Sequence, residues 1–103
     1  MRRAVQVKLD SLWDEHRNAP FPPASKGVDI EGTDLVFLDM CAAGCIDYYV
    51  VHGHLDEKRV ATLKECARLI EVIVPKVEPE SRGYFERLGK LTAFVLEGAG
   101  HAA

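Results

Sequence analysis

The chain lacks a basic excess, a long uncharged apolar run and a secretion signal, and each absence excludes a class of protein. Its 103 residues carry 13 Lys and Arg against 16 Asp and Glu, and the two signs are mixed along the chain. Nucleic-acid-binding domains collect a basic excess on one face, so we expect no nucleic-acid partner. No uncharged run approaches the ~18 residues of a membrane span, and residues 4–8 are too polar for a signal-peptide core. We therefore expect a cytoplasmic protein without a membrane partner.

The chain also lacks the short motifs of common enzymes, and serine is scarce. It contains no G-x-S-x-G, G-x-G-x-x-G, P-loop or H-E-x-x-H sequence. We therefore lean against an enzyme and expect no catalytic residues and no cofactor. The composition is 48% hydrophobic and 28% charged, which with this length is typical of one folded domain. We expect a single domain over residues 1–103 whose tail, residues 98–103, has nothing to pack against and is frayed.

Proline, which is costly inside a helix, divides the chain into segments with a helical hydrophobic period. None of the five prolines lies between residues 24 and 74. A first helix is predicted before the cluster of three prolines near residue 20. On a helical wheel, one face of this segment carries Val5, Leu9, Leu12 and His16, with Trp13 beside it. A long Pro-rich loop follows over residues 18–33, and its apolar side chains are expected to hold it against the core; they are Phe21, Val28 and Ile30.

The second predicted helix, from about Leu35 to His52, is apolar around nearly its whole circumference. A helix of this kind lies at the centre of a domain. Thr33 or Asp34 can cap its first turn, and Gly53 can end it, because glycine adopts the left-handed conformation without strain. The polar exception is a narrow strip through Asp39, Ala43 and Asp47. We expect its two carboxylates to face solvent, or to accept Arg or Lys from a neighbouring helix or subunit.

The third and fourth helices have clear boundaries in the sequence. The third follows a capping residue, Asp56, and ends at Pro75, and the fourth begins near Pro79. Connectors 53–55 and 75–78 are short, so helices 2, 3 and 4 should be antiparallel neighbours. The direction of helix 1 stays open. The sequence predicts an all-α fold, a compact four-helix domain built around helix 2.

The cysteine and histidine residues do not form a predicted metal site. Cys41 and Cys45 are one helical turn apart, but His52 lies about 10.5 Å further along the helix and cannot share their ion. We expect these two thiols and that of Cys66 to be free and buried on apolar helix faces. The stretch from His52 to Asp56 is similar to the metal-binding H-x-H-x-D sequence of the metallo-β-lactamase fold, yet Glu57 stands where that fold has histidine.

Two further resemblances bear on the second helix. The run Asp34-Leu35-Val36-Phe37-Leu38-Asp39-Met40 resembles the phospho-acceptor strand of receiver domains, with Asp39 as the acceptor, but the rest of the chain is too short for five strand–helix units. The same run, with Ala42-Ala43-Gly44-Cys45 and Tyr84-Phe85-Glu86-Arg87-Leu88, resembles a block in small uncharacterised actinobacterial proteins. This second resemblance covers the chain from about residue 21 onward and implies an all-α fold. It implies no activity, so no functional residue is carried over.

Two hypotheses for function follow from the apolar second helix. The first is a non-enzymatic interaction or regulatory protein that forms a homodimer, or binds another protein, through residues on or near the polar strip: Val36, Asp39, Met40, Asp47 and Val50. The second is a small-molecule binding protein or minor enzyme with a pocket between helix 2 and the Pro-rich loop, since such pockets are mostly apolar with a few polar groups. Its lining would be Trp13, Phe21, Tyr48, Tyr49 and His52.

Overall fold

Four α-helices make up the fold. The computed structural model describes residues 2–100, with side chains from residue 7 onward, so the side chain of Val5 in the predicted stripe and residues 101–103 lie outside the described part. The helices are α1 (Arg2–Asn18), α2 (Leu35–His52), α3 (Glu57–Ile73) and α4 (Pro79–Gly98), and 3-10 turns span Pro23–Ser25 and Val74–Lys76. The predicted all-α four-helix domain is confirmed.

The ends of α2 and α3 are fixed by residues that satisfy unpaired backbone groups. The Asp34 carboxylate accepts a hydrogen bond from the backbone N–H of Phe37 at 3.0 Å, so Asp34 rather than Thr33 caps α2. Asp56 caps α3 in the same way through the N–H of Arg59, at 2.8 Å. Gly53 ends α2 at φ 79°, the left-handed conformation that glycine adopts without strain.

The long loop between α1 and α2 contains a minimal hairpin. Strands β1 (Asp29–Ile30) and β2 (Thr33–Asp34) pair antiparallel, with Ile30 opposite Thr33. Glu31 and Gly32 between them both have positive φ, 51° and 84°, as a two-residue turn of type I′ requires. The three apolar loop residues that were expected to hold the loop in place pack against the core as predicted; they are Phe21, Val28 and Ile30.

Contacts near the helix ends define the helix directions. Tyr84 near the start of α4 contacts Asp39 near the start of α2, and the Tyr49 ring near the end of α2 lies beside Gly98 at the end of α4. Helices α2 and α4 are therefore parallel, and α3 runs antiparallel to both. His16 near the end of α1 also lies against Asp39 and Tyr84. Helix α1 consequently ends where α2 and α4 begin, and runs opposite to them.

The core lies where the four helices meet, and α2 contributes to it from two sides. Side chains of α2 that face α3, such as Cys45, and side chains that face α1 and α4, such as Tyr49, are both buried. The largest fully buried side chain is that of Phe85 on α4. The α2 members of the core are Leu35, Leu38, Ala42, Cys45, Ile46 and Tyr49.

Helix α2 is long and apolar enough, by length and composition, to cross a membrane. The core helix of a globular protein passes the same test, and six of the 18 residues of α2 are buried against its neighbours. Its two aspartates would be costly in hydrocarbon. Burial explains the apolar character of the six buried residues only. The helix that packs against all three others is α4, so the expectation that the domain is built around α2 is wrong.

The structure describes residues 98–100 of the tail that was expected to be frayed, residues 98–103. Helix α4 continues through Gly98, and Ala99 is partly buried against the core. The Ala99 N–H donates to the Val95 carbonyl at 2.9 Å, and Gly100 turns left-handed at φ 84°.

Candidate functional site

An exposed apolar face runs along the outside of α2. We define it by Phe37, Met40, Gly44, Asp47 and Val51, and call it the outer face. Its three large apolar members are about two-thirds exposed, at 66% for Phe37, 64% for Met40 and 66% for Val51. Large apolar side chains with this exposure on one face are typical of an interaction surface when they are contiguous.

The residues predicted for an interaction surface only partly coincide with this face. Met40 and Asp47 lie on it, and Val36 borders it with 36% exposure. Val50 is half-buried beside α1, in a groove that it shares with Trp13. Asp39 is turned away from the outer face, toward α1 and α4.

The expectation that Asp39 faces solvent is wrong. Its carboxylate accepts a hydrogen bond from the Tyr84 hydroxyl at 2.8 Å, and its side chain is only 17% exposed. Burial is the main cause that raises the pKa of Tyr84 well above its usual range, and the contact with the Asp39 carboxylate raises it further. The phenol therefore keeps its proton. No Arg or Lys pairs with Asp39 among the described contacts; the neighbouring helices supply a phenol and an imidazole instead.

A polar network extends from Asp39 through His16, which is almost fully buried. Arg87 Nε donates to His16 Nδ1 at 2.9 Å, so the neutral ring carries its proton on Nε2. That nitrogen lies 3.6 Å from Asp39 Oδ1, too long for a hydrogen bond, and has no other partner among the described residues. Arg87 also contacts Glu15 at 3.1 Å.

This network does not have the arrangement of a catalytic site. A histidine next to an aspartate can act as a general base only if a substrate reaches it. His16 and Asp39 are closed off by α1 and α4, and neither lines any of three surface grooves on the described part of the chain. The network therefore acts as a polar connection among α1, α2 and α4.

The five residues predicted to line a pocket are not brought together. Trp13 and Tyr49 are buried in the core, and the half-buried Phe21 packs edge-on against Tyr84 and Phe85. Tyr48 and His52 are neighbours at the far end of α2, with ring centroids 4.3 Å apart. Of the three grooves, one is lined by Trp13, and the other four residues line none.

A polar cluster surrounds Tyr48 at the end of α2. The Arg59 guanidinium lies 3.8 Å from the centroid of the Tyr48 ring, at a distance suited to a cation–π contact. The His54 ring lies edge-on to the same ring at 5.9 Å. No group of three or more metal-ligating side chains comes together within the described residues. The two histidines therefore serve as surface neighbours of Tyr48 in this arrangement.

The three cysteines are free, as predicted, and face α3 or lie on it. Cys45 and Cys66 are buried, whereas Cys41 is partly exposed. Burial raises the pKa of the Cys45 thiol, and it raises the pKa of Cys66 to about 12. Neither thiol is a ready nucleophile at neutral pH, since the thiolate is the reactive form.

A groove of about 600 Å³ lies between α2, α3 and the end of the long loop. Cys41, Cys66 and Leu69 lie among its apolar lining, Phe37 stands at its edge, and Thr62 and Glu65 contribute polar groups. The groove is continuous with the outer face because both include Phe37.

Sequence reasoning missed Phe37, Gly44 and Val51 as members of the outer face. Their signal is the spacing of residues 37, 40, 44, 47 and 51, which alternates three and four along the helix. This spacing is typical of a helix seam that packs against another helix. It was hidden because nearly all of α2 is apolar, so no stripe stands out by composition.

Comparisons with known proteins give no relative. No family model matches the chain, and neither a curated protein nor a solved structure is detectably similar to it. The resemblance to small actinobacterial proteins stays a prediction.

Proposed function

We propose that this protein is a non-enzymatic interaction module that associates with a second copy of itself through the outer face of α2. The observation that carries the proposal is the exposure of Phe37, Met40 and Val51 by about two-thirds on one helix face. Single exposed apolar residues are normal on a protein surface, but three that share one face form a patch.

We expect a second copy to occupy this face because the face is mostly apolar and carries one charged residue, Asp47. An isologous contact requires one surface that pairs with itself. Burying the exposed part of these side chains is worth about 1–2 kcal/mol each, or about 6–12 kcal/mol for the six in a dimer. Association costs about 4–15 kcal/mol. The gain and the cost are of similar size, so we expect a weak, reversible dimer.

Sedimentation velocity from about 1 to 200 μM tests this proposal. Phe37→Glu places a charge in the contact and should leave the protein monomeric over the whole range. Val7→Glu is the matched control, because Val7 is similarly exposed, at 62%, but lies on α1. A monomeric wild type, or equal effects of the two substitutions, would contradict the proposal.

A second candidate function is the binding of a small apolar molecule in the groove between α2 and α3. The observation that favours it is the groove volume of about 600 Å³, with Cys41, Cys66 and Leu69 in the lining. Sites of this volume hold small ligands. Native mass spectrometry of gently purified protein would show such a ligand as added mass on a monomer, and Ala61→Phe, which fills the groove, should remove it. A bare monomer would count against both functions.

A further inference from the structure

We propose that two copies pack α2 against α2 in opposite directions, with the two-fold axis passing beside Gly44 on α2 and Ala61 on α3. This inference rests on the self-association proposed above and specifies its geometry. It assigns partners across the interface to residues on both helices.

The first argument is the symmetry of the outer face about Gly44. Phe37 lies seven residues before Gly44 and Val51 lies seven residues after it, while Met40 and Asp47 lie four before and three after. In an antiparallel pair centred on Gly44, Phe37 of one copy therefore meets Val51 of the other, and the same contact recurs at the opposite end. The two apolar ends of the face are therefore paired with each other in such a dimer, whereas Met40 and Asp47 are not exchanged by the reversal.

The second argument is Gly44 itself. It lies in the middle of α2, where glycine is a poor helix former. A Cβ added at this position would meet nothing within 4 Å, so no contact within its own chain requires glycine. A glycine at the point where two helices cross allows their backbones to approach closely. The position of Gly44 at the centre of the outer face gives it this role.

The third argument is the match of charges along α3. Cys45 Sγ lies 3.7 Å from the Arg59 carbonyl oxygen, and Ala61 lines a groove with Cys41, so Ala61 is level with the middle of α2. Lys58 is one turn before Ala61, and Glu65 is one turn after it. A two-fold axis beside Ala61 therefore brings Lys58 of each copy toward Glu65 of the other. Within its own chain Glu65 already accepts a hydrogen bond from Arg68 Nε at 2.9 Å, so Lys58 would join an existing ion pair.

The expected interface is small. The outer face from Phe37 to Val51 is about 21 Å long, and α2 and α3 together are about 20 Å wide, so each copy contributes on the order of 400–500 Å². Specific stable interfaces use about 800 Å² per partner, and transient ones use less. The geometry thus agrees with a reversible dimer rather than a permanent one.

The decisive experiment is sedimentation velocity on two glycine variants. Gly44→Leu should raise the dissociation constant by at least about 30-fold, because a large side chain separates the two α2 backbones. Gly83→Leu is the matched control, since Gly83 is also an exposed helix glycine with nothing within 4 Å of an added Cβ, but it lies on α4. It should leave the dissociation constant unchanged. Circular dichroism confirms that both variants keep their helices.

A charge-reversal series tests the α3 pairing independently. Lys58→Glu should weaken the dimer about tenfold, since two ion pairs are lost and like charges face each other. Lys58→Glu combined with Glu65→Lys should restore the affinity to within about threefold of wild type. Both positions are exposed, but Glu65→Lys also removes the ion pair of Glu65 with Arg68, so circular dichroism checks the folding of each variant.

The outcomes separate the two proposals. If the wild-type protein is monomeric at 200 μM, self-association and its geometry both fail. If Phe37→Glu abolishes a dimer while Gly44→Leu has no effect and the charge reversal gives no rescue, self-association through α2 stands and the arrangement about Gly44 is overturned.

Discussion

Gly98 at the end of α4 offers the sharpest test of the packing, because the Tyr49 ring lies directly beside it. A Cβ added at Gly98 would stand 2.5 Å from the Tyr49 hydroxyl oxygen and 3.2 Å from the ring carbon that bears it. Tyr49 is only 8% exposed, so the ring is held by its neighbours and has little room to move. Gly98→Ala therefore requires the Tyr49 ring or the end of α4 to shift.

Glycine-to-alanine substitution should change the free energy of unfolding in the opposite direction at Gly83, a helix glycine that has no such neighbour. Gly83→Ala should raise the free energy of unfolding by about 0.5–1 kcal/mol, the usual gain in helix propensity. Gly98→Ala should lower it by about 1–3 kcal/mol, the usual cost of overpacking. For a domain of this size these changes correspond to roughly +4 °C and −5 to −15 °C in Tm.

Urea unfolding followed by circular dichroism measures both effects. Tyr49→Phe in the Gly98→Ala background removes the atom closest to the new methyl group and should recover about half of the loss. If Gly98→Ala is as stable as wild type, the Tyr49 ring is free to shift and the proposed close packing between α2 and α4 is wrong.

Four other predictions concern buried polar groups and the cysteine thiols. Tyr84→Phe should lower the free energy of unfolding by about 1.5–3 kcal/mol, because the Asp39 carboxylate loses its donor; an unchanged urea midpoint would contradict this. Ser81→Ala should cost about 1–2 kcal/mol in the same assay, because the buried hydroxyl of Ser25 loses its partner at 2.8 Å, whereas the exposed Ser11→Ala should cost almost nothing. A thiol reagent at pH 8 should modify Cys41 first and Cys66 only on unfolding, since Cys66 is buried with its pKa raised to about 12; equal rates would refute this. The same raised pKa means that the unfolded chain loses the Cys66 proton above pH 9 while the folded chain keeps it. The free energy of unfolding should therefore fall between about pH 9 and 12, by up to about 1.4 kcal/mol per pH unit. Cys66→Ala should reduce that slope in urea titrations at pH 8 and pH 10.

The helices and their ends could be predicted from the sequence because their causes are local. Asp56 caps α3 through a backbone N–H three residues away, and Gly53 ends α2 through its own φ. Pro79 fits the first turn of α4 because its ring presets φ and no N–H is needed there. Free cysteines and an all-α domain followed from the same kind of local evidence.

The tertiary structure alone decided which side of α2 is covered. Asp39 was expected to face solvent, but its partners, Tyr84 and His16, lie 45 and 23 residues away and are invisible in a helical period. Phe37 and Val51 are apolar and read as core residues, yet the three neighbouring helices leave them exposed. An apolar side chain indicates that burial would be favourable, whereas the packing of the other helices determines whether burial occurs within the chain or requires a partner.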